Sequence, residues 1–420
     1  MVDLLSQHKK LEPLLITAIK QVIDSSAFIK GNEVADFEQN LAEFLQVDHV
    51  ISCANGTDAL LIALMALQLK PGDEVIIPAF TYVATAEVIA LLGLTPVMVD
   101  VEEETFNISV SGIEAAITPR TKAIIPVHLF GQCSDMEPLM NLADKHGLWV
   151  IEDNAQSLGA SYTFTTAALW ANVHRPTAFQ TTTFQATALQ TTALRDLQSR
   201  STSSSTPASG LQIPKSKMSK SSGTIGHIGC TSFFPTKNLG GMGDGGALMT
   251  NDPALAEKIR MIANHGQQKK YHHQVVGCNS RLDTLQAAIL NVKLPHLNEY
   301  LNSRKQAGDY YQQALKDFEF GVLPTSVAAS LPTYNQFTLK IKNGLRDQFR
   351  EYLAAQGIPT MIYYPLPLYR QEAFSKYVPE GFSLTVTEKL CKSVLSLPIH
   401  TEMTEEQLRF ISDTILKFIT

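Results

Sequence analysis

Along the first half of the chain, short apolar runs alternate with stretches in which apolar residues recur every three or four positions. HVISCA (49–54) reads as a buried strand and TDALLIALMAL (57–67) as a helix. The series continues with DEVIIPA as a strand and ATAEVIALLG as a helix. PVMVDV and AIIPVHLFG follow as strands, DMEPLMNLADKHG as a helix and WVIEDN as a strand. Strands separated by crossover helices predict a mainly parallel sheet covered on both faces. Pro71-Gly72-Asp73 ahead of one strand and Gly147 behind one helix punctuate the pattern where turns are expected. From Leu297 the pattern changes. EYLNSRKQAGDYYQQALKDF reads as a helix, YNQFTLKI as a strand and GLRDQFREYLAAQG as an amphipathic helix, and TEEQLRFISDTILKFI closes the chain as a helix. The organisation predicted is a large α/β domain over residues 1–300 and a smaller α+β domain over 301–420.

One segment breaks this order. Residues 163 to about 222 contain TAFQTTTFQATALQTTALRDLQSRSTSSSTPASG, a near-repeat of Thr, Ala and Gln that decays into Ser. Its apolar residues keep neither a helical nor a strand period. Such a tract cannot bury enough apolar area to offset the entropy of ordering it, so it reads as an inserted, disordered loop, a translated repeat without function.

A hydrophobic content of 45% with only 18% charged residues suits a folded enzyme rather than a disordered chain. The net charge of -6 and the lack of any basic stripe argue against a nucleic-acid partner. Five dispersed cysteines without a CxxC or a His/Cys cluster suit a reducing compartment and offer no metal site. The N-terminus lacks the build of a signal peptide, and no apolar run approaches the roughly eighteen residues of a membrane span. The expectation is a soluble cytoplasmic protein with no metal and no membrane partner.

Three places carry candidate chemistry. From Ser232 to Gly246 the only charged residues are Lys237 and Asp244, set among aromatics and glycines. Desolvation there lowers a lysine's pKa and makes its amine a nucleophile toward carbonyls. In WVIEDNAQSLG, a strand runs into Glu152 and Asp153 at its carboxyl end, where open α/β sheets bind ligands. A carboxylate there could ligate a metal, orient a base, hold a ring nitrogen, or simply cap a turn. In CANGTDALLIAL, Gly56 and Thr57 open a helix directly after a strand, which makes either a phosphate seat or an ordinary N-cap. The glycines of GGMGDGG do not form a dinucleotide fingerprint, because the strand-like ALMTND follows them rather than a helix. A phosphate seat, a strand-end acid and a desolvated lysine together match the needs of pyridoxal 5′-phosphate (PLP). His128 and His265 read as structural or substrate-adjacent, with no second ligand at metal spacing, and the KKYHH cluster (269–273) as a solvated turn or a contact for an anionic sugar nucleotide.

With SCANGTDAL, PAFTYVATAE, IEDNAQSLGA, TSFFPTKNLG, DGGAL and NSRLDTLQAAIL in one chain, the sequence resembles the DegT/DnrJ-type nucleotide-sugar aminotransferases. The likeness covers about residues 28–415 apart from the tract, and runs especially to bacterial 3-aminotransferases of UDP-linked 3-keto uronic acids. It implies an α/β fold of the PLP-dependent transferase type I (aspartate-aminotransferase-like) class and a sugar aminotransferase activity (EC 2.6.1.-). Glutamate would be the amino donor and a keto-sugar nucleotide the acceptor, for surface-polysaccharide biosynthesis. It makes Lys237 the Schiff-base lysine and Asp153 the pyridinium partner, with Gln156 near the ring hydroxyl and Tyr82 stacked on the ring. Gly56, Thr57 and Ser232 would hold the phosphate. Asn279 and Arg281 would reach the neighbouring subunit's site in a homodimer, and Tyr363 and Tyr364 would face substrate. The family often has His-Tyr-Pro where this chain has Tyr363-Tyr364-Pro365, which leaves the sugar open. A 4-aminotransferase of a dTDP- or UDP-4-keto sugar, or a non-catalytic regulatory copy disabled by the tract, are the alternative readings.

Overall fold

The computed structural model describes residues 2–165 and 218–419. By backbone contacts the chain divides into residues 1–163 with 219–420, described below, and residues 164–218. Most of the Ser/Thr-rich tract lies outside the described residues. Its two described margins belong to strands β6 (Ser161–Phe164) and β7 (Met218–Ser221), so regular structure extends further into the tract than its composition predicts.

The central sheet has seven strands: β1 (His49–Cys53), β2 (Glu74–Pro78), β3 (Thr95–Val99), β4 (Thr121–Ile124), β5 (Trp149–Asp153), β8 (Ile228–Ser232) and β9 (Gly246–Thr250), ordered β1-β9-β8-β5-β4-β2-β3. The pairs β2–β3, β2–β4, β4–β5 and β5–β8 are parallel, and only β9 runs against its neighbours. The connecting helices are α3 (Gly56–Ala66), α4 (Ala84–Leu91), α5 (Val110–Ala116) and α6 (Met136–His146), preceded by α1 (Leu4–Ser25) and α2 (Asn32–Leu45). Local chemistry sets their ends. Asn55 accepts the Asp58 N–H at 2.8 Å to start α3, and Gly147, at φ 64°, ends α6 in the left-handed conformation. Buried Ile51, Ile62, Ile77, Ile89, Ile151 and Ile228 lie in the core between the sheet and its helices.

After β9 come α7 (Pro253–Ile262), the short exposed hairpin β10 (Gln267–Lys269) and β11 (His272–His273), α8 (Thr284–Lys293) and α9 (Leu297–Ala314), the last straddling residue 300. The C-terminal part adds β12 (Gly321–Val322), β13 (Ser330–Leu331), β14 (Phe337–Ile341), α10 (Arg346–Ala355), α11 (Thr385–Ser393), β15 (Val394–Leu397) and α12 (Glu405–Leu416). Its strands pair β12-β14-β15, over a second core that includes Tyr311, Phe337, Phe349, Leu397 and Ile415. Strand β13 pairs instead with β6, Ser330 opposite Tyr162. No helix among the described residues is long and apolar enough to cross a membrane.

One predicted strand is shorter than its apolar run. AIIPVHLFG continues past β4 without a ladder: Val127 makes a single bridge to Asp153, and Leu129–Gly131 is a 3-10 turn with Phe130 at φ 60°. Pro126 has no N–H to give a sheet, which ends the strand there. The shared direction of β2 to β5 and β8 has a functional consequence. Asp153 and Ser232, each the last residue of its strand, lie at one edge of the sheet, and β1 brings Asn55 and Gly56 to the same edge.

Candidate active site

Asp153 is buried at the end of β5. Its Oδ2 accepts the Thr85 hydroxyl at 2.9 Å and its Oδ1 accepts the Ala155 N–H at 3.2 Å. Burial raises its carboxyl pKa, while those two donors, with the nearby charge of Lys237, pull it back toward the ionised form. Thr85, itself fully buried on α4, is a support that sequence reading did not single out. The adjacent Glu152 has a different task. Its carboxylate accepts the N–H groups of Gly223 (2.9 Å), Ile225 (2.6 Å) and Gly226 (2.6 Å), the segment just after β7. It also meets His128 Nε2 at 2.7 Å. Because the Ser134 N–H donates to His128 Nδ1 at 3.1 Å, the hydrogen-bond pattern puts the ring proton on Nε2. The strand-end carboxylates are thus divided, one anchoring backbone and one facing Lys237.

Lys237 lies in the loop between β8 and β9. The loop folds tightly on itself, with Phe233 N–H to the Gly245 carbonyl and Gly241 N–H to the Phe233 carbonyl, both at 2.7 Å. Next to the lysine, the buried Asn238 donates to the Leu158 carbonyl and the Thr333 hydroxyl and accepts from Asn335 Nδ2, each at 3.0 Å. Burial pulls the Lys237 ammonium below the ordinary lysine range, and the charge of Asp153 opposes that shift. Such desolvation favours the neutral amine, the form that is a nucleophile toward carbonyls.

Gly56 begins α3 against the end of β8. A Cβ at Gly56 would lie 2.7 Å from the Cβ of Ser232, and one at Gly246 would lie 2.5 Å from the Asn55 carbonyl group. Only glycine at both places lets the Ser232 hydroxyl, the α3 N-terminus and Thr57 converge. The unpaired N–H groups and dipole of an N-terminus suit an anion there.

Aromatic residues form another wall. Gln156 is buried, accepting the Phe130 N–H at 2.8 Å and donating to the Tyr364 hydroxyl at 3.1 Å. The Tyr82 and Tyr364 rings are 6.3 Å apart, and Tyr363 and Tyr364 are 5.8 Å apart. Burial raises the Tyr364 phenol, and the charge of Asp153 adds to that rise. Tyr82 remains 57% exposed, leaving its ring free to cover a ligand. The structure therefore brings Lys237, Asp153, Gln156, Tyr82, Tyr363 and Tyr364 together, and pairs Gly56 with Ser232 beside Thr57. Asn279 and Arg281 make none of these contacts. Asn279 is exposed and bridged through its backbone to Asn264, and Arg281 lines a surface recess with Glu38 and Arg260. No hydrogen bond or ion pair among the described residues links either to Lys237, Asp153 or Tyr364.

These features suit PLP in particular: a buried acid for the ring nitrogen, a desolvated lysine for the aldehyde, and a glycine-cleared helix N-terminus for the phosphate. The crossover sheet and the site at its carboxyl edge define a PLP-dependent transferase of fold type I. Residues 10–193 and 206–416 match the DegT/DnrJ/EryC1/StrS aminotransferase family. The chain belongs to this family and is a nucleotide-sugar aminotransferase. It is 40% identical to the UDP-2-acetamido-2-deoxy-3-oxo-D-glucuronate aminotransferase of Pseudomonas aeruginosa, covering 98% of this chain and 97% of the relative. It is 39% identical to the UDP-N-acetyl-3-dehydro-alpha-D-glucosamine 3-aminotransferase of Acidithiobacillus ferrooxidans, over 99% and 96%. A pleiotropic regulatory protein of Geobacillus stearothermophilus is 39% identical over 100% and 98%. Among solved structures, DesV of S. venezuelae superposes with a TM-score of 0.83 at 33% identity, covering 100% of this chain and 98% of that one. NtdA of Bacillus subtilis, solved with bound cofactor PMP, gives 0.78 at 28%, over 97% and 81%.

Proposed function

We propose that this chain moves the amino group of glutamate to the keto carbon of a UDP-linked 3-keto sugar, as a homodimer with shared active sites and in service of surface-polysaccharide synthesis. Its cofactor is PLP, which when bound accepts the electrons of the substrate carbanion and stores the amino group between half-reactions. Lys237 is the residue proposed to hold the cofactor covalently. Its free Nζ would move a proton from the donor's Cα to the cofactor's aldehyde carbon, and would run the same transfer in reverse when the keto sugar receives nitrogen. Burial, which lowers its pKa, favours the neutral form of that amine. Asp153, oriented by Thr85, holds the ring nitrogen in its protonated form. Gly56, Thr57 and Ser232 bind the phosphate, Tyr82 covers the ring, and Gln156 stands at the ring hydroxyl. Tyr363 and Tyr364 face the sugar, and Asn279 and Arg281 serve the partner subunit's site.

The observation that carries this reading is the geometry at the carboxyl edge of the sheet: buried Asp153 held by the Thr85 hydroxyl at 2.9 Å, the α3 N-terminus packed on Ser232 through Gly56, and Lys237 in the loop that follows Ser232. The 3-keto assignment is supported by the two UDP-3-keto-sugar relatives at about 40% identity. Incubation with ¹⁵N-glutamate and either a UDP-3-keto or a dTDP- or UDP-4-keto sugar, read by mass spectrometry, tests it. Label entering the 3-keto substrate at the higher kcat/KM supports the proposal. Preference for the 4-keto sugar replaces the substrate, and uptake of cofactor with no label in either product points to a regulatory role instead.

A further inference from the structure

We propose that Lys293 is a positioning residue for the Lys237 loop, its buried side chain gripping the Gly240 carbonyl and so setting where Lys237 can reach. The inference rests on Lys237 being the cofactor lysine, as read above. Lys293 is the last residue of α8, is 1% exposed, and donates from Nζ to the Gly240 carbonyl at 2.5 Å. Gly240 follows Lys237 by three residues, where the loop doubles back so closely that a Cβ there would meet the Pro235 carbonyl at 2.2 Å. The same helix gives the loop a second hold, because Gln286 Oε1 accepts the Met242 N–H at 2.9 Å. Helix α8 therefore fixes the far limb of the loop, as the Asn238 amide fixes the near limb.

The chemistry of the group argues against a role in stability alone. No acidic side chain among the described residues pairs with Lys293, and burial pulls its pKa down to about 8. The imidazole of His8 on α1 is close enough to be affected, but burial and the Lys293 charge both disfavour its cationic form, and its Nε2 has no hydrogen-bond partner among the described residues. The helix C-terminus and the charge-assisted bond to Gly240 offset part of the desolvation cost. An apolar side chain of similar length would fill the space without that cost. What it would not supply is a directional donor to a buried carbonyl beside the catalytic loop.

The test adds PLP to cofactor-free protein. It follows the visible band formed when the Lys237 amine condenses with the cofactor aldehyde, releasing one water, alongside kcat, KM for glutamate and melting temperature. Lys293→Met is expected to fold with a modestly lower melting temperature, because the buried Gly240 carbonyl loses its donor. It should form the band and turn over at least about ten-fold more slowly, with KM unchanged, as a displaced reactive group would. Lys293→Arg, which keeps a cationic donor, should stay within about three-fold of wild type. A methionine variant that condenses as fast as wild type overturns the inference. So does one that fails to fold, since that would make Lys293 a structural residue. These results sink only this inference where wild type forms the band and Lys237→Ala does not. Absence of the band in wild type removes both the inference and the reading of Lys237.

Discussion

At the scale of single residues, the proposed site depends on how the buried Asp153 and the half-buried Lys237 are kept usable. In its proposed role Asp153 must be ionised to hold a cationic ring, yet burial favours its neutral form. The Thr85 hydroxyl is its closest side-chain donor and stabilises the charged carboxylate. Removing that donor raises the carboxyl pKa, so the ionised form is lost earlier as pH falls. Thr85→Val should therefore move the acid limb of the kcat/KM profile to higher pH and lower activity about ten-fold, the worth of one hydrogen bond to a charged group. Thr85→Ser should restore both, and a profile unchanged by the valine would show that Thr85 does not tune Asp153. None of this is readable in the chain. Thr85 precedes Asp153 by some seventy residues of sequence and sits on a helix, so only folding reveals the contact. Lys293 is hidden for the same reason: in sequence it is an ordinary basic residue closing a helix.

At the scale of elements, the strand-to-helix turn at Asn55-Gly56-Thr57 turns a secondary-structure boundary into a binding feature. Any side chain at Gly56 would collide with Ser232, at a Cβ–Cβ distance of 2.7 Å. Gly56→Ala should thus push α3 away from β8 and weaken the affinity for PLP by at least about ten-fold, while the circular dichroism spectrum stays close to wild type. Equal affinities would mean that the phosphate is not held there. This turn was legible in advance, as were most strands and helices of residues 49–153, where period and turn residues agree; the short helix α5 (Val110–Ala116) was not read from the sequence. AIIPVHLFG was misleading, since apolar residues alone cannot show that Pro126 ends the ladder and that the chain turns at Phe130. The glycines of GGMGDGG were correctly separated from a dinucleotide fingerprint by the strand that follows, β9. The division of labour between Glu152 and Asp153 was beyond sequence reading, for two adjacent acids at a strand end look equivalent until their partners are known.

At the scale of the whole molecule, the proposed dimer has Asn279 and Arg281 serve a neighbour's site. Shared sites have an arithmetic consequence. Mixing Lys237→Ala with Arg281→Ala subunits should form, among random dimers, about half mixed pairs, each with one intact site, and so recover about a quarter of wild-type activity. No recovery would show that each subunit completes its own site. The central claim is that this chain carries a working PLP half-reaction on Lys237. It is tested most directly by the visible absorbance of the purified protein with PLP, before and after glutamate, beside Lys237→Ala. The prediction is a band in the wild-type chain that glutamate discharges, with 2-oxoglutarate released, and no such band in the variant. A band of equal strength in Lys237→Ala, or one that glutamate leaves unchanged, would contradict it.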